Sequence, residues 1–262
     1  MLELTNVSKT FFPGTVNERR AVTNLDFTME RGEFVTIIGS NGAGKSTLLN
    51  LISGSIRTDS GTVCIDGRDV TKLNDHQRAS FVGRVFQDPQ AGTAPHMSVE
   101  ENLAIAYRRG HGRSLAWALT GKRRALFREQ LQILEQGLEG RLDDWVGLLS
   151  GGQRQSLSLL MATFTQPQVL LLDEHTAALD PQRAELVTRL TEELVARDNL
   201  TTLMVTHNME QALALGNRLI MMHEGHIIFD VAGKEKASMS VADLLERFAS
   251  AKGALSDRTL LG

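Results

Sequence analysis

The chain of 262 residues contains one cysteine, Cys64, one tyrosine and two tryptophans, and aromatic residues make up only 5% of it. A single cysteine cannot close an internal disulfide, so nothing in the composition points to an oxidising compartment. Aromatics this sparse offer little surface for stacking bases. There is no basic excess either: 28 Lys and Arg face 31 Asp and Glu, a net charge of −3. A general nucleic-acid binder carries the opposite balance, so nucleic acid is not an expected partner. No apolar run approaches the roughly 18–20 residues that cross a bilayer. Met1 to Lys9 alternates polar and apolar residues and has no signal-peptide core. These absences lead to the expectation of a cytoplasmic chain whose membrane role, if it has one, comes through a partner.

At 42% hydrophobic and 23% charged, the composition is that of a globular protein with one large domain or two small ones. Leu2, Leu4 and Val7 begin a strand pattern, and Glu33 to Ile38 is a β-rich run ending at Gly39. Lys45 to Ile52 reads as a helix with Leu48, Leu49 and Ile52 on one face. Thr62 to Ile65, before the turn signal Asp66-Gly67, and Val82 to Phe86 are short strands. From about Asp88 the character becomes helical. Ser98-Val99-Glu100-Glu101 has the form of a capping box and predicts a helix from Asn102. Lys122 to Gln136 repeats Leu126, Phe127, Leu131 and Leu134 at helical spacing. Val169 to Leu172 is a continuous apolar run suited to a strand buried on both faces. Asp180-Pro181 is an N-cap with proline at the first helical position. Thr201 to Val205, Leu219 to Met222 and Ile227 to Val231 are further strands. This alternation predicts an α/β fold around a parallel sheet.

Gly39-Ser40-Asn41-Gly42-Ala43-Gly44-Lys45-Ser46-Thr47 fits G-x-x-x-x-G-K-[ST]. Glycines let successive N–H groups converge on one concavity, and the following helix turns its positive end toward it. Lys45 adds a charge for the outer phosphates, and the Ser46 hydroxyl can ligate Mg²⁺. The pattern therefore predicts a nucleotide site. Leu170-Leu171-Leu172-Asp173-Glu174 is a buried strand ending in two carboxylates. Asp173 is suited to hold Mg²⁺ through water, and Glu174 to polarise an attacking water.

Leu149-Ser150-Gly151-Gly152-Gln153 follows, just before a helix running to about Phe164. Together with Gly39 to Thr47, Gln87, Asp173-Glu174, Ala178-Leu179-Asp180 and His207, it resembles the ordered motif set of ABC-transporter ATPase subunits. The resemblance covers Met1 to about Val231. It implies an α/β fold with a P-loop NTPase, RecA-like core of mixed sheet, an N-terminal antiparallel β subdomain and an inserted helical subdomain. It further implies an ATPase domain over 1–231, its core at 1–87 and 165–231 and its helical subdomain at about 88–164, with a short helical tail over 232–262. ATP and Mg²⁺ are the implied cofactors. Phe11, Gly39, Ser40, Asn41, Gly42, Ala43, Gly44, Lys45, Ser46 and Thr47 would hold the nucleotide, with Phe12 an alternative to Phe11 for stacking on adenine. Ser150, Gly151, Gly152 and Gln153 would close over ATP bound to a second copy in a head-to-tail homodimer, and Asp180 would join that nucleotide site from a dimer-contact loop while also capping a helix. Lys45, Gln87, Glu174 and His207 would be catalytic, and Ser46, Gln87 and Asp173 would attend the metal.

The stretches Gly83 to Pro89, Leu171 to Pro181 and Asn217 to Gly225 are similar to a group of importer ATPases predicted to take up amino acids such as tryptophan or tyrosine. That likeness implies integral-membrane permease subunits and an extracytoplasmic solute-binding protein as partners, and a peripheral position on the inner face of the membrane. The alternatives are the ATPase of an ABC exporter and a soluble ABC ATPase outside transport. A simple GTPase is disfavoured by Ser150 to Gln153 and by the lack of an Asn-Lys-x-Asp motif. His175 stands where the family commonly has proline, and is read as a local backbone variant or as a group tuning Glu174. Arg108, Arg109, Arg113, Lys122, Arg123, Arg124 and Arg128 form a basic stretch, read as a solvated face or as a contact for acidic permease loops or anionic lipid. In the tail, Val241 to Ser250 is expected to be a helix with Leu244, Leu245 and Phe248 on one face.

Overall fold

The computed structural model describes residues 1–109 and 120–250. Along the chain, β1 (Leu2–Phe11), β2 (Arg19–Met29), β3 (Phe34–Gly39), α1 (Lys45–Ser53), β4 (Ser60–Ile65) and β5 (Arg68–Asp69) come first. Then follow α2 (Asp75–Arg78), β6 (Val82–Val85), α3 (Val99–Tyr107), α4 (Gly121–Gln132), α5 (Gly151–Thr163), β7 (Val169–Asp173) and α6 (Pro181–Asp198). The chain continues through β8 (Thr201–Val205), α7 (Met209–Ala214), β9 (Arg218–His223), β10 (His226–Ala232), α8 (Gly233–Ser238) and α9, a helix over 241–250. These elements divide into two compact units, Met1–Asp75 with Thr201–Gly262, and His76–Leu200.

In the first unit, β1 lies between β2 and β4, both antiparallel to it, with β5 beyond β4. The sequence reading assigns no strand to 19–29, where β2 pairs Met29, Phe27 and Leu25 with Leu2, Leu4 and Val7. All six side chains are buried. The jump from Leu4 to Val7 breaks the period of two because the register shifts there, with Asn6 (φ 51°) and Asn24 (φ 43°) in left-handed conformations that asparagine tolerates. The other sheet of this unit runs β10-β9-β3-β8. β3 is parallel to both β8 and β9, while β10 turns back antiparallel on β9. Val35, Thr36 and Ile37 are fully buried, and the one polar group among them is satisfied: Thr36 Oγ1 donates to the Ala212 carbonyl at 2.8 Å. Helix α1 buries Leu48, Leu49, Leu51 and Ile52 completely, each contributing about 1.5–3 kcal/mol.

Helix α9 is present as expected, but its face is narrower. Leu244 is fully buried in a cluster with Ile38, Leu219, Met221 and Val231, and Phe248 packs against that cluster. Leu245 is 51% exposed, because consecutive helical residues do not share a face. The sequence reading also misses α8, whose Lys236 is 3% exposed and donates to the Leu215 and Gly216 carbonyls just past α7. Burial lowers the Lys236 ammonium to about 8.

In the second unit, β6 and β7 are parallel, Val82 opposite Val169 and Val85 opposite Leu172. β7 from Val169 to Leu172 is wholly buried, as the apolar run predicts. Helix α5 closes on β6 at Gly83, where a Cβ would overlap the Ala162 carbonyl oxygen. Tyr107, Phe127 and Phe164 pack edge to face, with centroids 5.7–6.2 Å apart. Two helix bounds differ from expectation. The Ser98–Glu101 capping box is formed, but α3 begins at Val99, since helical geometry starts directly after the cap. α4 ends at Gln132, and Leu134 reaches the core from the turn beyond it. Of the basic stretch, Arg124 pairs with Glu100 at 2.7 Å and with Asp143, and the Arg123 guanidinium lies 5.5 Å from the Tyr107 ring. Burial lowers the Arg109 guanidinium from its ordinary value, and Arg113 lies outside the described residues.

Candidate active site

The first unit carries the glycine-rich loop between β3 and α1. Gly39 ends β3 beside β9, where a Cβ would overlap the Met222 carbonyl oxygen. Gly44, at φ +103°, is the N-cap of α1, and a Cβ there would overlap the Ala21 carbonyl oxygen. No side chain caps the helix, and a helix N-terminus is a ready site for an anion. Lys45 is 6% exposed, and its ammonium donates to the carbonyls of Gly39 at 2.8 Å and Ser40 at 3.0 Å. The charge is thereby held at the start of the loop, against its first two carbonyls. Asn41, Gly42 and Ser46 are exposed, Ala43 is buried and Thr47 half-buried.

The loop is pinned from three sides. Ala43 N–H donates to the Ser40 carbonyl at 3.1 Å, and the Ala43 carbonyl accepts from Gly225 N–H at 3.0 Å. Ser40 Oγ lies 3.2 Å from His223 Nδ1, and the His223 ring meets Phe248 of α9 edge to face at 5.9 Å. Arg19 Nη2 donates to the Gly42 carbonyl at 2.9 Å. Sequence reading misses Arg19, because nothing local marks it. It stands opposite Phe11 across β1 and β2, which places Phe11 one cross-strand step from the loop contact. Phe12 has φ 52° and is 66% exposed. The exposed His207 follows β8 and shares a cavity of about 180 Å³ with Gly39, Ser40, Thr206 and Phe248.

The second unit carries the remaining residues. Asp173 ends β7, and its Oδ2 accepts from Arg84 Nη2 at 3.1 Å. Glu174 is in the left-handed region at φ 48°, a conformation that costs a non-glycine residue about 1–2 kcal/mol. A turn secures it, with Ala177 N–H donating to the Glu174 carbonyl at 2.9 Å. His175 is 2% exposed, and its Nε2 lies 2.9 Å from Thr191 Oγ1 of α6. That hydroxyl already donates to the Val187 carbonyl at 2.8 Å, so Nε2 carries the proton and Thr191 accepts it. Burial lowers the His175 imidazole to about 4. The residue is a neutral core histidine bonded to α6.

Gln87 is exposed two residues past the end of β6. The neighbouring Phe86 carbonyl accepts from Gln155 Nε2 of α5 at 3.1 Å, a tie across 69 positions that sequence reading could not find. Ser150 caps α5, accepting from Gln153 N–H at 3.3 Å while Gln153 Oε1 accepts from Ser150 N–H at 3.1 Å. Gly152 approaches Arg183 so closely that a Cβ would lie 2.9 Å from its Cδ. Ser150, Gly152, Gln153 and Arg183 face a cavity of about 390 Å³, and Gly151 begins the helix beside it. Asp180 caps α6, its Oδ1 accepting from Arg183 N–H at 3.1 Å and its Oδ2 lying 3.3 Å from Arg183 Nε.

Among the described residues no group of three His, Cys, Asp or Glu gathers as a metal site. The donors expected for a metal are a hydroxyl, Ser46, in the first unit, and an amide oxygen, Gln87, and a carboxylate, Asp173, in the second. Such sparse, hard oxygen donors fit Mg²⁺, which keeps several waters and takes the rest of its shell from phosphate. Also among the described residues, no helix is long and apolar enough to cross a membrane.

The family model described as ABC transporter matches residues 22–177. The chain is 49% identical over 249 residues to a tyrosine transport ATP-binding protein of Clostridioides difficile (strain R20291), covering 95% of this chain and 98% of that one. It is 34% identical over 260 residues to the aliphatic sulfonates import ATP-binding protein SsuB of Albidiferax ferrireducens, covering 99% of this chain and 83% of that one. Among solved structures, the ATP-binding cassette MJ0796, a dimer in a post-hydrolysis state bound to ADP and Pi, superposes with a TM-score of 0.75. That structure is 30% identical and covers 88% of this chain and 98% of its own.

Proposed function

Because the chain belongs to the ABC transporter family, as its ATP-binding subunit, we propose that it drives an importer of a small solute such as an amino acid. It is an ATPase whose hydrolysis is coupled to transport. The observation that carries its chemistry is the uncapped start of α1 with the buried Lys45 ammonium held over the loop carbonyls. The tyrosine transport relative, similar over nearly its whole length, supports the amino-acid reading.

Gly39 to Thr47 bind the ATP phosphates, Lys45 neutralises the outer ones and Phe11 stacks on the base. Mg²⁺, when bound, neutralises phosphate charge, with Ser46, Gln87 and Asp173 holding it. Glu174 takes a proton from the attacking water while the water oxygen bonds to the γ-phosphorus and the bond to ADP breaks. His207 orients the Glu174 carboxylate and the γ-phosphate, and Gln87 orients the water. Ser150, Gly151, Gly152, Gln153 and Asp180 serve the nucleotide of a second copy in a head-to-tail homodimer. Each protomer meets an integral-membrane permease subunit, an extracytoplasmic solute-binding protein supplies the substrate, and the chain sits peripherally on the inner face of the membrane. Residues 1–231 form the ATPase domain, with 232–262 as its tail.

Purifying the tagged chain from gently solubilised membranes of its host tests this reading. Recovery of a polytopic permease together with a solute-binding protein supports it. A permease whose vesicles extrude solute would make the system an exporter, and recovery only with soluble partners would overturn the transport reading while leaving the ATPase.

A further inference from the structure

β6 reads Val82-Gly83-Arg84-Val85, an apolar strand with one charge. Arg84 stands opposite Leu171 in the parallel register with β7. A period of two puts Asp173 on the same face as Leu171, one diagonal step along. That separation suits the length of an arginine, and the Nη2–Oδ2 distance of 3.1 Å shows the reach is made. The two side chains are only 12% and 14% exposed. The guanidinium is also 4.6 Å from the Phe86 ring centroid, within cation–π range. Arg84 is thus placed by a carboxylate and by an aromatic ring at once.

Asp173 is the carboxylate that the proposed function gives to Mg²⁺, so two cations have a claim on it. We infer that Arg84 is the counter-ion of Asp173 in the metal-free protein and sets its affinity for metal-bound nucleotide by competing for that carboxylate. An unpaired carboxylate this far from water is costly, so the arginine stabilises the free form. Whatever stabilises the free form alone weakens binding by the same amount. Arg84 is therefore a positioning residue that tunes metal occupancy.

The inference rests on the metal role of Asp173, and the test separates the two. Mn²⁺, as a spectroscopic probe, is titrated by electron paramagnetic resonance into the full chain with saturating ADP. Two neutral variants, Arg84→Gln and Arg84→Met, are measured, so that if one fails to fold the other decides. Either should bind Mn²⁺ about 10- to 150-fold more tightly than wild type, the worth of one charge-assisted hydrogen bond. Its metal-free form should melt at a lower temperature. Arg84→Lys, which keeps the charge, should shift metal affinity less. Neutral variants with unchanged or weaker Mn²⁺ affinity overturn the inference. Asp173→Asn is the control: if it loses Mn²⁺ while the neutral variants gain nothing, only the Arg84 role fails. If it binds Mn²⁺ like wild type, the metal role of Asp173 fails and the competition falls with it.

Discussion

Acid should unfold this protein partly through one histidine. His175 is 2% exposed and bonded to the equally buried Thr191, and burial moves its imidazole from 6.5 to about 4. The folded pKa lies below the unfolded one, so between pH 6.5 and 4 the unfolded chain binds more protons at this position. Stability is therefore full above about pH 6.5 and falls as the pH drops through that window. The slope is about 1.4 kcal/mol per pH unit, which sums to about 3 kcal/mol by pH 4. Other groups titrate over the same range, so the measurement is a difference. Urea unfolding of wild type and His175→Gln, which keeps a hydrogen-bond donor but does not titrate, is followed from pH 4.5 to 8. Above pH 7 the difference in unfolding free energy should be constant. Below 6.5 the wild type should lose ground to the variant with the stated slope. Curves that stay parallel down to pH 4.5 would refute the neutral core histidine.

Glu174→Gln should slow ATP hydrolysis by roughly 10²- to 10⁴-fold and spare nucleotide binding, as read from single-turnover rates beside equilibrium titration. Lys45→Ala should instead weaken binding itself in the same titration. Gly83→Ala should cost about 1–3 kcal/mol or more, because the added methyl meets the Ala162 backbone, which cannot swing aside; denaturant midpoints measure it.

The parts of the site legible in the sequence are those built from neighbours. The loop from Gly39 to Thr47, the Ser150–Gln153 box and the Asp180-Pro181 helix start each need only adjacent residues, and the structure forms them where the pattern puts them. Contacts between distant segments were not legible. Arg19 gains meaning only from Gly42, Arg84 from Asp173 and Gln155 from Phe86. His175 illustrates the boundary. The departure from proline was visible as a backbone matter, whereas its physical role depends on Thr191, sixteen positions away on α6. β2 is missed because its alternation holds only over Leu25, Phe27 and Met29: upstream, Ala21 and Val22 are adjacent and both buried, and the register shift at Asn24 breaks the period. The helix α3 was displaced by three residues because a capping box marks the turn it closes as well as the run that follows.

The order in which β3 finds its neighbours also governs how the protein can be made. β1, β2 and β4 all lie within the first 65 residues and can pair as soon as they leave the ribosome. β3, whose last residue opens the phosphate-binding loop, has both of its partners beyond residue 200, in β8 and β9. At about 5–20 residues per second, roughly 10–40 s separate the emergence of Gly39 from that of Met222. Throughout that interval the whole His76–Leu200 unit is synthesised as a continuous stretch. The nascent chain thus carries an apolar strand with open edges until β8 and β9 are translated, and ATP can help to fold it only then.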